Sequence, residues 1–246
     1  MCARVTLLLT LLALPGLAGC PQVTPCPGST HPEPAPLVYD EVVTGGAAAD
    51  ETLPLVVCLH GLGDSPAGIR SLATDFPGRA RFVLPQAPTP YGSGFAWFPF
   101  YEGRGTQQQY AVGVREAALR VAATIRRVRA LRPTRGQTLV TGFSQGAMIS
   151  YGLAAQHADL IGAAFPLSGF LPTPLLPRAG ARLPPIRAMH GDADDVVPLA
   201  LDRESVAALR RLGADIDLRV YPGVRHTITA QMGDDLNAAI AAAIAR

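Results

Sequence analysis

The chain has 246 residues, 48% of them apolar and 16% charged, with a formal charge of +2. Such a composition describes a folded chain, long enough for one large domain or two small ones with ample core, and it gives no electrostatic case for nucleic acid or another polyanion as a partner. All 21 basic residues are Arg, so neither a P-loop Lys nor a Schiff-base Lys exists, which excludes P-loop NTPase and pyridoxal-phosphate chemistry.

Arg4 precedes an apolar run over 5–14, about half the roughly 20 residues needed to span a bilayer, so an export signal fits better than an anchor helix. The run closes on Leu17-Ala18-Gly19-Cys20, which resembles a bacterial lipobox. The resemblance implies that residues 1–19 are a lipoprotein signal peptide and that Cys20 carries lipid. The protein is then exported and membrane-anchored in a bacterial cell envelope. Residues 20–36 follow as a tether, with Pro at 21, 25, 27, 32, 34 and 36. Pro-rich chain prefers extended polyproline conformations and stands a domain off a surface. Of the four Cys, Cys2 leaves with the signal, Cys26 sits in the tether, and Cys58 reads as a buried small hydrophobe. No disulfide framework or zinc spacing is visible.

The domain itself spans 37–246. Short apolar runs at 53–59, 81–84, 138–141, 163–167, 186–189 and 217–221 read as strands buried on both faces. Between them lie helical patterns. Val114, Ala118, Val121, Ile125 and Val128 make one apolar stripe, with Arg115, Arg126 and Arg129 off it on a solvated face. Residues 145–157, 199–212 and 229–244 are further helix candidates. Regular alternation predicts an α/β fold, a mostly parallel sheet with helices on both faces. In such sheets the working groups gather beyond the carboxyl ends of the strands.

Gly142-Phe143-Ser144-Gln145-Gly146 has the pattern G-x-S-x-G where a strand gives way to a helix. A Ser there sits on a tight turn with its hydroxyl clear of the sheet, and helix amides point at developing negative charge. A Ser nucleophile needs a base, which in this architecture follows an acid late in the chain. His190 and His226 both lie in suitable places, and His226, just before the terminal helix, is where the base belongs. His157 falls at the end of the helix after Ser144. Asp192, Asp194 and Asp195 follow the strand before the last, and one of them can orient the imidazole while the other two serve as turn or capping residues. Their spacing lacks the calcium-loop pattern. An oxyanion needs two donors, for which the amides of Gln145 and Leu62 are the candidates, the latter in His60-Gly61-Leu62-Gly63-Asp64. Gly61-x-Gly63 is not followed by a third Gly at dinucleotide spacing. Six aromatics between 91 and 101, among them Trp97 and Phe98, are broken by Gly and Pro and can cover the core or wall an apolar pocket.

Together, Leu59-His60-Gly61-Leu62-Gly63-Asp64, Gly142-Phe143-Ser144-Gln145-Gly146, His190-Gly191-Asp192-x-Asp194 and His226 resemble the phospholipase/carboxylesterase family of α/β-hydrolases, which includes acyl-protein thioesterases. Pro85-Gln86-Ala87-Pro88 and Ala96-Trp97-Phe98 resemble further family stretches. The resemblance covers roughly 37–246. It implies Ser144 as nucleophile, Asp194 as acid, His226 as base, and Leu62 and Gln145 as oxyanion donors, with Trp97 and Phe98 at the substrate. Two departures stand out. Asp195 occupies the place of a usual Pro after the acid, and Phe98 leads to Pro99 in place of an acid. The implied activity is hydrolysis of small-molecule carboxylic esters, with thioesters and lysophospholipids in range, and no metal or organic cofactor. A peptidase-like hydrolase and a catalytically idle binding domain are the competing readings.

Overall fold

The computed structural model describes residues 34–99 and 105–245. The expected signal peptide 1–19, Cys20 and the tether as far as residue 33 lie outside the described residues, as do Phe100 and Tyr101 of the aromatic stretch.

Seven strands form the main sheet: β1 (Tyr39–Val43), β2 (Leu53–Leu59), β3 (Arg81–Pro85), β6 (Thr134–Phe143), β7 (Ile161–Leu167), β8 (Ile186–Gly191) and β9 (Ile216–Tyr221). Their order is β1-β3-β2-β6-β7-β8-β9. All neighbours are parallel except the edge pair β1–β3. The expected α/β architecture is thus present. β4 (Thr89–Tyr91) and β5 (Gly94–Ala96) make a separate hairpin that overlaps the start of the aromatic stretch and that the sequence reading did not resolve.

β2 shows why these runs carry no polar alternation. All seven of its residues are buried. Leu55, Val57 and Leu59 join one apolar cluster, packed with α2 (Gln107–Leu131), α3 (Gln145–Gln156) and α4 (Leu199–Arg211). Val56 and Cys58 join the other, with α1 (Ser71–Thr74) and α5 (Ala230–Ile244). Helices on both faces leave neither side to water. The predicted stripe of α2 is buried throughout, and a reciprocal Thr106–Gln109 capping box fixes the start of the helix. Among the described residues no helix is long and apolar enough to cross a membrane.

The register brings the working loops to one rim. Leu59 pairs with Gly142, Phe143 with Leu167, Leu167 with Met189, and His190 with Val220. The segments that follow these strands, around residues 60–64, 144, 192–197 and 222–226, therefore emerge side by side.

Candidate active site

Ser144 sits between β6, the central strand, and α3. Its backbone has φ 56° and ψ −115°, a left-handed conformation that a non-glycine residue adopts only under constraint. Two features supply the constraint. The Ser144 amide donates to the Leu167 carbonyl at 3.0 Å, tying the turn to β7. Gly146 packs so closely on β2 that a Cβ there would lie 2.1 Å from the Leu59 carbonyl oxygen. The first turn of α3 is thereby pressed onto the sheet, and the serine is lifted at the rim. Gln145 is the first residue of α3, so its N–H has no intrahelical acceptor.

His226 follows β9, and Asp194 follows β8. The two meet: His226 Nδ1 donates to Asp194 Oδ2 at 2.7 Å. A close backbone approach makes this possible, because a Cβ on Gly191 would lie 2.1 Å from the Val224 carbonyl oxygen. The other carboxylate oxygen, Oδ1, accepts from the amides of Val196 at 3.0 Å and Val197 at 2.8 Å. Burial opposes the Asp194 charge, yet the bonds with His190, His226, Val197 and Val196 outweigh it and hold the carboxyl well below the ordinary carboxylate range. With Nδ1 engaged, the free nitrogen of His226 is Nε2, the one able to take a proton from an alcohol. The His226 ring also lies against Phe143, with centroids 4.6 Å apart.

The neighbouring aspartates do other work. Asp192 accepts from the Gly223 amide at 2.6 Å, a turn contact. Asp195 is exposed and pairs with Arg225. Of the three candidates, Asp194 is the one that contacts His226.

Ser144, Leu62, Gln145 and His226 line one cavity of about 430 Å³, whose apolar wall includes Phe98, Tyr110, Met148, Phe170 and Leu201. Gln145 has a second task. Its side-chain carbonyl accepts from the Trp97 amide at 3.0 Å, and its Nε2 donates to the Phe98 carbonyl at 3.1 Å, fixing the wall to the turn. Trp97, expected beside Phe98 at the substrate, is not among the residues lining this cavity. It is 5% exposed, its indole N–H donates to the His60 carbonyl at 2.8 Å, and its ring lies 5.1 Å from that of His60. The indole therefore supports the loop that carries Leu62. His60 is locked as well: its Nε2 accepts from the Ala87 amide, so Nδ1 bears the proton and donates to the Gly61 carbonyl. Burial pushes its pKa down and keeps the ring neutral. A second, more polar cavity of about 520 Å³ shares Asp64, Phe143 and His226 with the first and adds Asp75 and Asp234.

Sequence reasoning missed what stands behind Asp194. His190 is fully buried. Its Nε2 lies 2.8 Å from the Val197 carbonyl oxygen and 3.4 Å from Asp194 Oδ2, and its Nδ1 lies 2.9 Å from Asp202 Oδ2. Asp202 Oδ1 in turn accepts from the Tyr151 hydroxyl at 2.6 Å. A signal for Asp202 was available. It lies three residues after Leu199 and four before Val206, so an acid occupies the apolar stripe of α4.

A family model described as Phospholipase/Carboxylesterase matches residues 40–244. A probable inactive carboxylesterase of Oryza sativa subsp. japonica is 29% identical over 70% of this chain and 78% of its own length. Acyl-protein thioesterase 1 of Gibberella zeae is 24% identical over 83% of this chain and 93% of its own. Among solved structures, esterase PE8 superposes with a TM-score of 0.74 at 28% identity, covering 85% of this chain and 99% of that one.

Proposed function

The chain belongs to the phospholipase/carboxylesterase family, and from that membership we propose that it hydrolyses carboxylic esters through an acyl-enzyme on Ser144. The observation that carries the reading is the 2.7 Å bond between His226 Nδ1 and Asp194, in a cavity wall that also holds Ser144. In this reading His226 Nε2 takes the Ser144 proton as Oγ adds to the ester carbonyl. The amides of Gln145 and Leu62 receive the oxyanion. His226 then gives its proton to the leaving alkoxide, and a water activated by the same nitrogen releases the acid. Asp194 holds the imidazole in the required tautomer. The apolar cavity behind Phe98 and Met148 suits the acyl group. The polar groove beside Asp64 and Asp234 suits the alcohol.

One relative bears the word inactive in its name, which makes the idle-domain reading concrete. Against that reading, Ser144, Asp194 and His226 are of the residue types the chemistry requires. Replacing Ser144 by Ala is expected to lower turnover of a p-nitrophenyl ester by about 10⁴–10⁶-fold, with the fold unchanged. A variant that turns over as fast as the parent chain refutes the proposal. From the sequence alone, export and a lipid on Cys20 complete the reading, placing the activity at a membrane surface of the cell envelope.

A further inference from the structure

Three residues that take no part in the proposed chemistry form an unbroken buried chain behind it. Tyr151 comes from α3, Asp202 from the first turn of α4, and His190 from the end of β8. The exposures of His190, Asp202 and Tyr151 are 0%, 1% and 0%. Burying an acid and an imidazole this completely is unfavourable unless each is satisfied, and here each is.

The partners of His190 bear on where its protons lie. The partner of His190 Nε2 at 2.8 Å is the Val197 carbonyl, which can only accept, so Nε2 carries a hydrogen. Asp202 Oδ1 receives the Tyr151 hydroxyl, so one proton is shared between Asp202 Oδ2 and His190 Nδ1. Burial raises the Asp202 carboxyl, but two carboxylates face the imidazole, Asp202 at 2.9 Å and Asp194 at 3.4 Å, and together they favour that proton on His190. His190 then has hydrogen on both nitrogens and is an imidazolium. Burial works against that charge, but the hydrogen bonds to Asp194 and Asp202 more than offset it and raise the pKa to about 9.

We propose that Tyr151, Asp202 and His190 act as a positioning chain for the active site, holding a buried cation against the far side of Asp194. The proposal rests on the hydrolase reading for its catalytic consequence, and for the cation on the two carboxylates that face one buried imidazole. Two effects follow. His190 Nε2–H grips the Val197 carbonyl, while the Val197 amide grips Asp194 Oδ1, so the cation closes the loop 194–197 around the carboxylate. The same N–H lies 3.4 Å from Asp194 Oδ2, the oxygen that receives His226. Both imidazoles thus face one carboxylate oxygen, His226 through a hydrogen bond and His190 through its charge at 3.4 Å, and that charge weakens the hold of Asp194 on a proton at His226. A base held less tightly to its proton returns it more readily to the leaving group.

The other ionisable groups near these rings are accounted for. Tyr151 of α3, Asp202 of α4 and Asp194 of the β8–α4 loop face His190. Asp194 faces His226 from one side. Asp64, Asp75 of the turn after α1, and Asp234 of α5 line the groove it shares. Arg225 beside His226 pairs with Asp195 at the surface.

The test compares the full chain with Asp202→Asn, Tyr151→Phe and, as a blank, Ser144→Ala. It reads kcat/KM against pH on a p-nitrophenyl ester and the ring ¹⁵N signals of His190. An Asn at 202 keeps the shape and can donate to Nδ1, leaving His190 neutral with its bond to Val197 intact. The acid limb of kcat/KM is then expected to move to higher pH by about half to one unit, from charges several ångströms apart in a partly buried site. Tyr151→Phe is expected to move it the same way by less. In the parent chain at pH 7 both ring nitrogens of His190 should be protonated, and in Asp202→Asn only one. A folded Asp202→Asn whose acid limb coincides with the parent's overturns the proposal, and so does a singly protonated His190 in the parent. If Asp202→Asn does not fold, Tyr151→Phe and the parent spectrum decide. If no Ser144-dependent hydrolysis is found, the hydrolase reading fails on that result, and the spectra still decide whether the buried cation exists.

Discussion

Replacing Asp194 by Asn changes one atom and asks whether this carboxylate orients His226. The wild-type group has no unused capacity. Oδ1 takes two amide donors at 3.0 and 2.8 Å, and Oδ2 takes His226 Nδ1 at 2.7 Å with His190 Nε2 at 3.4 Å. An Asn can keep its oxygen on the two amides only by turning its NH₂ toward two imidazole N–H groups. His226 must then accept at Nδ1 and carry its proton on Nε2, the atom that has to be free to deprotonate Ser144. The opposite amide orientation sets NH₂ against two backbone N–H groups and costs both partly buried donors their acceptor, at about 1 kcal/mol each. The first arrangement prevails, and with it the wrong tautomer. Loss of an equivalent carboxylate in a triad lowers turnover by about 10⁴-fold, which is about 5.5 kcal/mol of transition-state stabilisation. We expect Asp194→Asn to lose about that factor in kcat on a p-nitrophenyl ester with KM little changed. Asp195→Asn, at an exposed ion pair with Arg225, is expected to stay within about twofold of the parent chain. An Asp194→Asn enzyme that keeps more than a tenth of the parent rate refutes the assignment. So does a hundredfold loss in Asp195→Asn.

Two more outcomes are expected. The folded-state pKa of His190 is raised to about 9 against an unfolded value of about 6.5, so its contribution to stability is fully present below pH 6.5 and fades as pH rises through 9. The urea midpoint of the parent chain should fall between those pH values, and that fall should be absent in Asp202→Asn, where the ring is already neutral. In a bacterial host, metabolic labelling with palmitate should mark the parent chain and miss Cys20→Ser; equal labelling of the two removes the lipid-anchor reading.

Much of the fold was legible because its strands are buried on both faces. The run 53–59 coincides with β2, and 163–167 falls within β7. Where a strand meets water the signal fades. β6 begins at Thr134, four residues before the apolar run, because Thr134 and Arg135 pair with Leu53 and Pro54 near the sheet's exposed end. β1 is a half-exposed antiparallel edge, and its burial pattern has no two-sided apolar run to announce it. The β4–β5 hairpin is set by tertiary contact, with the Phe95 amide donating to Asp64. At the site, Ser144 and His226 stood out by their place after strands, but spacing alone did not separate Asp194 from Asp195. What separates them is the direction each side chain takes from one short loop. Tyr151 was hidden for a related reason: nearly all of α3 is buried, so its one phenol made no contrast with an apolar neighbourhood.

The turn that presents Ser144 is crowded on its sheet side, where Gly146 meets the Leu59 carbonyl. Opposite, the wall built by Tyr110, Met148, Phe170 and Leu201 comes from three helices and the segment after β7 and not from the strands themselves. Retargeting this scaffold to other acids is therefore a one-sided engineering problem. A mutant library at those four positions, held to similar volumes at the core residues Met148 and Phe170, can explore selectivity, whereas a side chain at position 142 or 146 would meet backbone at 2.5 Å or less.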